Sequence, residues 1–153
     1  MMKSQNNWPA SKIRSEIGIE SFLVPGTKIK LACAKSVAPL LVGFAAEFHE
    51  LIEPIDEGNL DDWGYCFRMV RSSPDRLSNH SSGTAIDLNA TKHRLGRIGT
   101  FPSKKIPMLR ALVKKYSLTW GGDYRVRVDE MHFEVAIPPS KVEAAIAKIG
   151  ASK

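Results

Sequence analysis

Between residues 78 and 90 the chain reads SNHSSGTAIDLNA, which sets His80 and Asp87 seven positions apart around Gly83. A second stretch, VDEMHFEV at residues 128 to 135, puts His132 at the head of an apolar run, with Asp129 and Glu130 just before it and Glu134 just after. Taken singly, neither stretch calls for chemistry: Asp and Ser bond to nearby backbone in turns, and Gly supplies positive φ. Together they offer two imidazoles and a carboxylate. That is a ligand set for zinc, which takes three protein ligands at a catalytic site and leaves a fourth position for water. A further, uncoordinated carboxylate is what metal-assisted hydrolysis needs, because something must take the proton from that water and pass it to the leaving amine. Convergence of His80, Asp87 and His132 requires that the two segments lie side by side.

The elements that would position them follow from residue patterning. TAIDL, residues 84 to 88, reads as a short strand after the Ser-Ser-Gly turn, and MHFEVAI, residues 131 to 137, as another. GYCFRMVRS, residues 64 to 72, is rich in aromatic and apolar residues between Gly64 and SSPD, and also reads as a strand. Val37, Leu40, Leu41, Phe44, Phe48 and Leu51 fall at helical spacing, which predicts a core helix with His49 on its surface. Residues 103 to 116 read as a second helix, with Pro107 tolerable only near its first turn. After two prolines, SKVEAAIAKIG carries a capping box, Ser140 with Glu143, and a terminal glycine. The expected fold class is α+β: a small antiparallel sheet flanked by helices. On a regular strand side chains alternate, so Glu130 and Glu134 would share a face with His132.

The chain has 153 residues, 43% hydrophobic and 25% charged, which suits one domain, 1–153, with a real core. No run approaches the ~18 apolar residues of a membrane span, and the opening MMKSQNNWPASKIRSE lacks the apolar core of a secretory signal. A chain made and folded in a cytoplasm is expected. Cys33 and Cys66 have no C-x-x-C spacing and are expected to be buried free thiols. The net charge of +6 is uneven: residues 47 to 62 hold seven acids and no Lys or Arg, whereas residues 91 to 127 hold ten bases and a single acid, Asp123. Such a basic stretch suits a polyanion, nucleic acid or bacterial wall polymer. No nucleic-acid-binding motif accompanies it, so nucleic acid is not the expected partner. His93, in a polar stretch between Lys92 and Arg94, is expected to be a bystander.

The ordered pattern S-x-H-x-x-G-x-A-x-D, present as Ser78, His80, Gly83, Ala85 and Asp87, with an acid-x-x-His later, resembles the signature of the zinc D-Ala-D-Ala carboxypeptidase and L-alanyl-D-glutamate endopeptidase family (VanY- and VanX-like, peptidase M15). WGGDY, residues 120 to 124, running into DEMHFE, is similar to the phage endolysin members. The resemblance spans roughly residues 64 to 137 and implies a fold like that of these peptidases and the hedgehog domain. It implies His80, Asp87 and His132 as Zn2+ ligands and Asp129, three residues before the second histidine, as the base. That position serves if residues 129 to 131 form a turn; in a regular strand Glu130 takes the role. It further implies an oxyanion-stabilising arginine on the strand before the first ligand, Arg71, with Arg68 and Arg76 as competitors, and Ser78 as a substrate contact. The implied activity is zinc-dependent cleavage of peptidoglycan stem peptides, as an L-Ala-D-Glu endopeptidase of a phage endolysin. A D-Ala-D-Ala carboxypeptidase and a non-catalytic zinc-binding module, of which the hedgehog domain's similar site is a reminder, are the alternatives. The implied protein is a monomer, made in the host cytoplasm without a signal peptide and acting on the bacterial cell wall.

Overall fold

Aromatic packing fixes the helix that backs the candidate site. The rings of Phe44 and Phe48, one helical turn apart, lie 4.6 and 5.8 Å from that of Phe133, and all three side chains are fully buried. Burial of each contributes about 2 kcal/mol. The computed structural model describes residues 1–71 and 73–151. Its elements in chain order are β1 (Met2–Lys3), β2 (Pro9–Ala10), β3 (Ile19–Leu23), β4 (Lys30–Ala34), α1 (Ala38–Leu51), β5 (Met69–Val70), β6 (Ser73–Leu77), β7 (Ala85–Asp87), α2 (Ile106–Lys115), β8 (Leu118–Trp120), β9 (His132–Val135) and α3 (Val142–Ala151).

The fold is α+β, as expected, with its β structure divided among several small antiparallel sheets. β1–β2, β3–β4 and β5–β6 are two-stranded, and β7, β9 and β8 form a three-stranded sheet with β9 in the centre. The helix expected from Val37 to Leu51 is α1, whose buried face includes Leu40, Leu41, Phe44 and Phe48. Leu109, Leu112 and Val113 form the buried face of α2, and Pro107 lies in its first turn, where its missing N–H costs nothing. The capping box does not form: Ser140 lies inside a 3-10 turn, Pro139–Lys141, ahead of α3, and Gly150 lies within that helix.

Of the strand expected at residues 64 to 72, only β5 joins a sheet, pairing with β6 through a register shift between Met69 and Val70, and Ser72 lies outside the described residues. Residues 64 to 68 lie outside any ladder and are tied by separate bonds, among them Tyr65 N to Ala32 O at 2.6 Å, Cys66 N to His80 O at 3.2 Å and Arg68 N to Ser81 Oγ at 2.9 Å. Cys66 is therefore exposed, contrary to expectation, while Cys33 is buried. His49 is half-buried, and its Nδ1 accepts from the N–H of Ile55 at 3.1 Å, which fastens the chain as it leaves α1.

The acid-rich loop beyond α1 carries one stability cost. Asp62 Oδ1 accepts from Asn89 N at 2.8 Å, but Oδ2 is buried with no hydrogen-bond partner. Burial, with Asp61, Asp56 and Glu53 nearby, pushes the Asp62 carboxyl up from 3.8 to about 6 against the single bond from Asn89. A carboxyl whose pKa rises on folding destabilises the native state once both states are ionised, so the cost develops between those two values and persists above them. Asp62→Asn, which keeps the acceptor for Asn89, is expected to gain about 1 kcal/mol at pH 7, after allowance for screening of a half-open side chain, and nothing below pH ~4. Urea unfolding at the two pH values checks this.

Candidate metal centre

Antiparallel pairing of β7 with β9 sets Asp87 directly opposite His132. The same pairing continues with Ile86 opposite Phe133, so the core aromatic and the polar pair alternate across the two faces. His80 arrives from a 3-10 turn, Asn79–Ser82, that leads into β7. Ser78 caps that turn, its Oγ accepting from His80 N at 3.2 Å. Gly83 closes it at φ 70°, where an added Cβ would lie 2.7 Å from Ala34 N. The S-x-H-x-x-G spacing thus has a local cause: a capped turn with a left-handed exit.

The two histidines and the aspartate converge. One potential ligand atom from each of His80, Asp87 and His132 lies within 4.8 Å of the others, and all three residues are buried. Asp87 Oδ1 is 3.3 Å from His80 Nε2 and 3.0 Å from His132 Nδ1. His80 Nδ1 lies 2.8 Å from the carbonyl oxygen of Gly64, which can only accept, so this nitrogen carries the proton. Nε2 is left with a lone pair and, although close to Asp87, has no hydrogen bond. A buried imidazole nitrogen without a partner, aimed at a carboxylate and a second imidazole, fits a divalent metal of the zinc type. Burial would lower the His132 pKa, but its bonds to Asp87 and Glu134 outweigh this and carry it up to about 10. Burial acts upward on Asp87, yet the two histidines hold its carboxyl far below the usual range.

Residues 129 to 131 are a turn, with His132 N donating to Asp129 O at 3.1 Å. This departs from the regular strand that would have put Glu130 beside His132. Glu130 turns away and is 4% exposed, accepting from Gly99 N at 2.9 Å and Thr100 N at 2.8 Å and from the Thr100 hydroxyl. Burial raises its pKa, but these bonds more than offset that and leave it below the ordinary value. Asp129 instead lines the cleft with Asp87 and His132, and its Oδ1 is buried without a partner. Burial pushes its pKa up, partly countered by His132. Gly121 allows this placement: its carbonyl accepts from Asp129 N at 2.9 Å, and a Cβ there would sit 2.2 Å from Asp129 O.

The cleft holds about 500 Å³. Arg68, Arg71, Arg125 and Arg127 line it together with Ser78, Asn79 and Tyr124, and the N-terminal segment contributes Gln5 and Asn6. Arg71 is exposed in the turn between β5 and β6 rather than on a strand, and Arg76 lies on β6, apart from the lining residues. The positive charge of Arg68 acts on Asp129 and partly counters the upward push of burial. Four groups around the site were not singled out for roles by sequence reasoning: Asn6, Asn79, Tyr124 and Glu134. Glu134 left a signal in its alternation with His132, and Tyr124 in its place at the end of WGGDY. His93 is buried and not merely a polar surface residue, for it stacks on Phe101 at 3.7 Å and lies 2.7 Å from Glu53 Oε2.

The α+β fold and this buried His–Asp–His group define a candidate metallohydrolase centre. Residues 71–135 match a family model, Peptidase_M15_4, described as D-alanyl-D-alanine carboxypeptidase. The match covers under half of the chain, takes in all three clustered residues and Asp129, and supports the M15 peptidase family. No curated protein and no solved structure matches the chain.

Proposed function

We propose that the chain is a zinc-dependent peptidase of bacterial peptidoglycan, an L-Ala-D-Glu endopeptidase of the phage endolysin type acting on the cell wall as a monomer. The observation that carries this reading is the orphaned Nε2 of His80 in a group with Asp87 and His132, in a cleft that the buried, unpartnered Oδ1 of Asp129 also lines. Zinc held by His80, Asp87 and His132 would supply Lewis acidity and an acidified water. Asp129, its pKa raised by burial, takes a proton at Oδ1 and returns it to the leaving amine. Arg71, with Arg68 also lining the cleft, offers positive charge to the oxyanion that develops on the scissile carbonyl. Ser78 contacts the substrate from the capped turn. The four arginines of the cleft suit a peptide that carries carboxylates.

The description of the matching family favours a second reading, a D-Ala-D-Ala carboxypeptidase. Mass spectrometry of purified peptidoglycan fragments after digestion separates the two. The expected result is a new N-terminal D-Glu, abolished by a chelator and restored by zinc. Released D-alanine would assign the carboxypeptidase, and zinc binding without cleavage of either bond would leave a non-catalytic module.

A further inference from the structure

Three polar groups packed around His132 have no part in the reading above. Glu134, two residues along β9 and so on the same face as His132, places Oε1 2.8 Å from His132 Nε2 and Oε2 2.8 Å from Asn79 Nδ2. The Tyr124 hydroxyl donates to the same Oε1. Asn79 is 3% exposed, and its Oδ1 accepts from the backbone N–H of Asn6 at 2.8 Å. Asn6 is itself pinned, its Nδ2 donating to Thr84 Oγ1 at 2.9 Å and to Val135 O at 3.1 Å.

The direction of every bond in this chain follows from its first member. A backbone N–H only donates, so Asn79 must present Oδ1 to Asn6 and Nδ2 to Glu134. The Glu134 carboxylate, receiving from Asn79 and Tyr124, is an acceptor, so His132 Nε2 must carry a proton and donate it. Nδ1, on the Asp87 side of the ring, is then the nitrogen available to a metal. The geometry points to the chain Asn6–Asn79–Glu134 as the device that orients His132 and fixes the tautomer in which Nδ1 faces the metal. Glu134 and Asn79 are thus positioning residues, in the manner of the carboxylate–histidine–zinc arrangements that tune metal sites. The N-terminal segment, far from the site in sequence, supplies the donor that starts the chain. This inference rests on the metal-binding reading of His80, Asp87 and His132.

Glu134→Gln breaks the chain without changing its shape. A carboxamide turned to accept from His132 sets its NH2 against Asn79 Nδ2, and turned the other way it donates to Nε2 and drives the proton onto Nδ1. The test is zinc affinity of the full chain, measured by competition with a chromophoric chelator, together with long-range 1H–15N imidazole spectra of the zinc-loaded parent. Glu134→Gln is expected to bind zinc about 10- to 100-fold more weakly with its circular dichroism unchanged. Asn79→Ala should weaken zinc by about tenfold or less, and the double variant no more than Glu134→Gln alone, because both act through one chain. The parent spectrum should show His132 protonated at Nε2 and metallated at Nδ1. Zinc affinity of Glu134→Gln equal to the parent's, additive losses, or a spectrum with His132 metallated at Nε2 would each overturn the inference. A parent chain that takes up no zinc would instead remove the metal-site reading and this inference with it. Should Glu134→Gln fail to fold, the parent spectrum and Asn79→Ala decide the matter.

Discussion

His80→Ala is expected to abolish stoichiometric zinc binding. The variant removes the one buried imidazole nitrogen in the group that has no hydrogen bond of its own, and what remains, Asp87 and His132, already pair with each other at 3.0 Å. Two ligands do not make the three-ligand set that zinc takes at hydrolytic sites. The loss should also be clean, because His80 Nδ1 bonds only to a carbonyl, that of Gly64, and the turn that carries His80 is capped by Ser78 and Gly83 independently of the imidazole. Elemental analysis after dialysis against zinc, with circular dichroism to confirm the fold, reads the outcome. A folded His80→Ala protein that still holds one equivalent tightly would show that the metal, if bound, sits elsewhere.

How much of this site could be read from sequence depended on the range of the interactions. The helix at Ala38–Leu51 and the turn around His80 are governed by neighbours a few residues apart, and both were legible, α1 from its apolar spacing and the turn from its Ser-Ser-Gly sequence, although the cap from Ser78 was not. Register between β7 and β9 was half legible. The alternation of Ile86 with Asp87 and of His132 with Phe133 says which side chains share a face, but not that Asp87 meets His132. The remaining features come from distant partners. Glu130 looked like a site residue until Gly99 and Thr100, thirty residues away, drew it out of the cleft. Cys66 looked like core, yet the stretch from Gly64 to Arg68 is held by scattered bonds to Ala32, Ser78, His80 and Ser81 instead of a full ladder, and its thiol is exposed. Asn6 gave no local signal at all, since its place beside the site follows from where the N-terminal segment inserts next to Asn79.

Asp129→Asn is expected to keep the fold and the zinc and to lose about 10²- to 10⁴-fold in turnover, the usual contribution of a general acid–base group. The amide keeps the size of the carboxylate, and the backbone contacts that hold the residue, Asp129 N to Gly121 O and His132 N to Asp129 O, do not involve the side chain. What changes is the proton acceptor. Burial has raised the pKa of that acceptor, which brings it closer to the operating range of a group that must both accept and return a proton. Glu130→Gln serves as the contrast, because the two acids are adjacent in sequence and opposite in setting. Its carboxylate is consumed by Gly99 and Thr100, so the amide should leave turnover close to parental and show instead as a loss of stability of about 1–3 kcal/mol, as one oxygen acceptor is replaced by a donor facing donors. Zinc content must be measured in both variants, since an acid near a metal can act through a ligand histidine and lower activity by losing metal. An Asp129→Asn enzyme that holds zinc and cleaves wall peptide at the parental rate would remove Asp129 from the chemistry, and a reversed order of the two variants would move the base to Glu130.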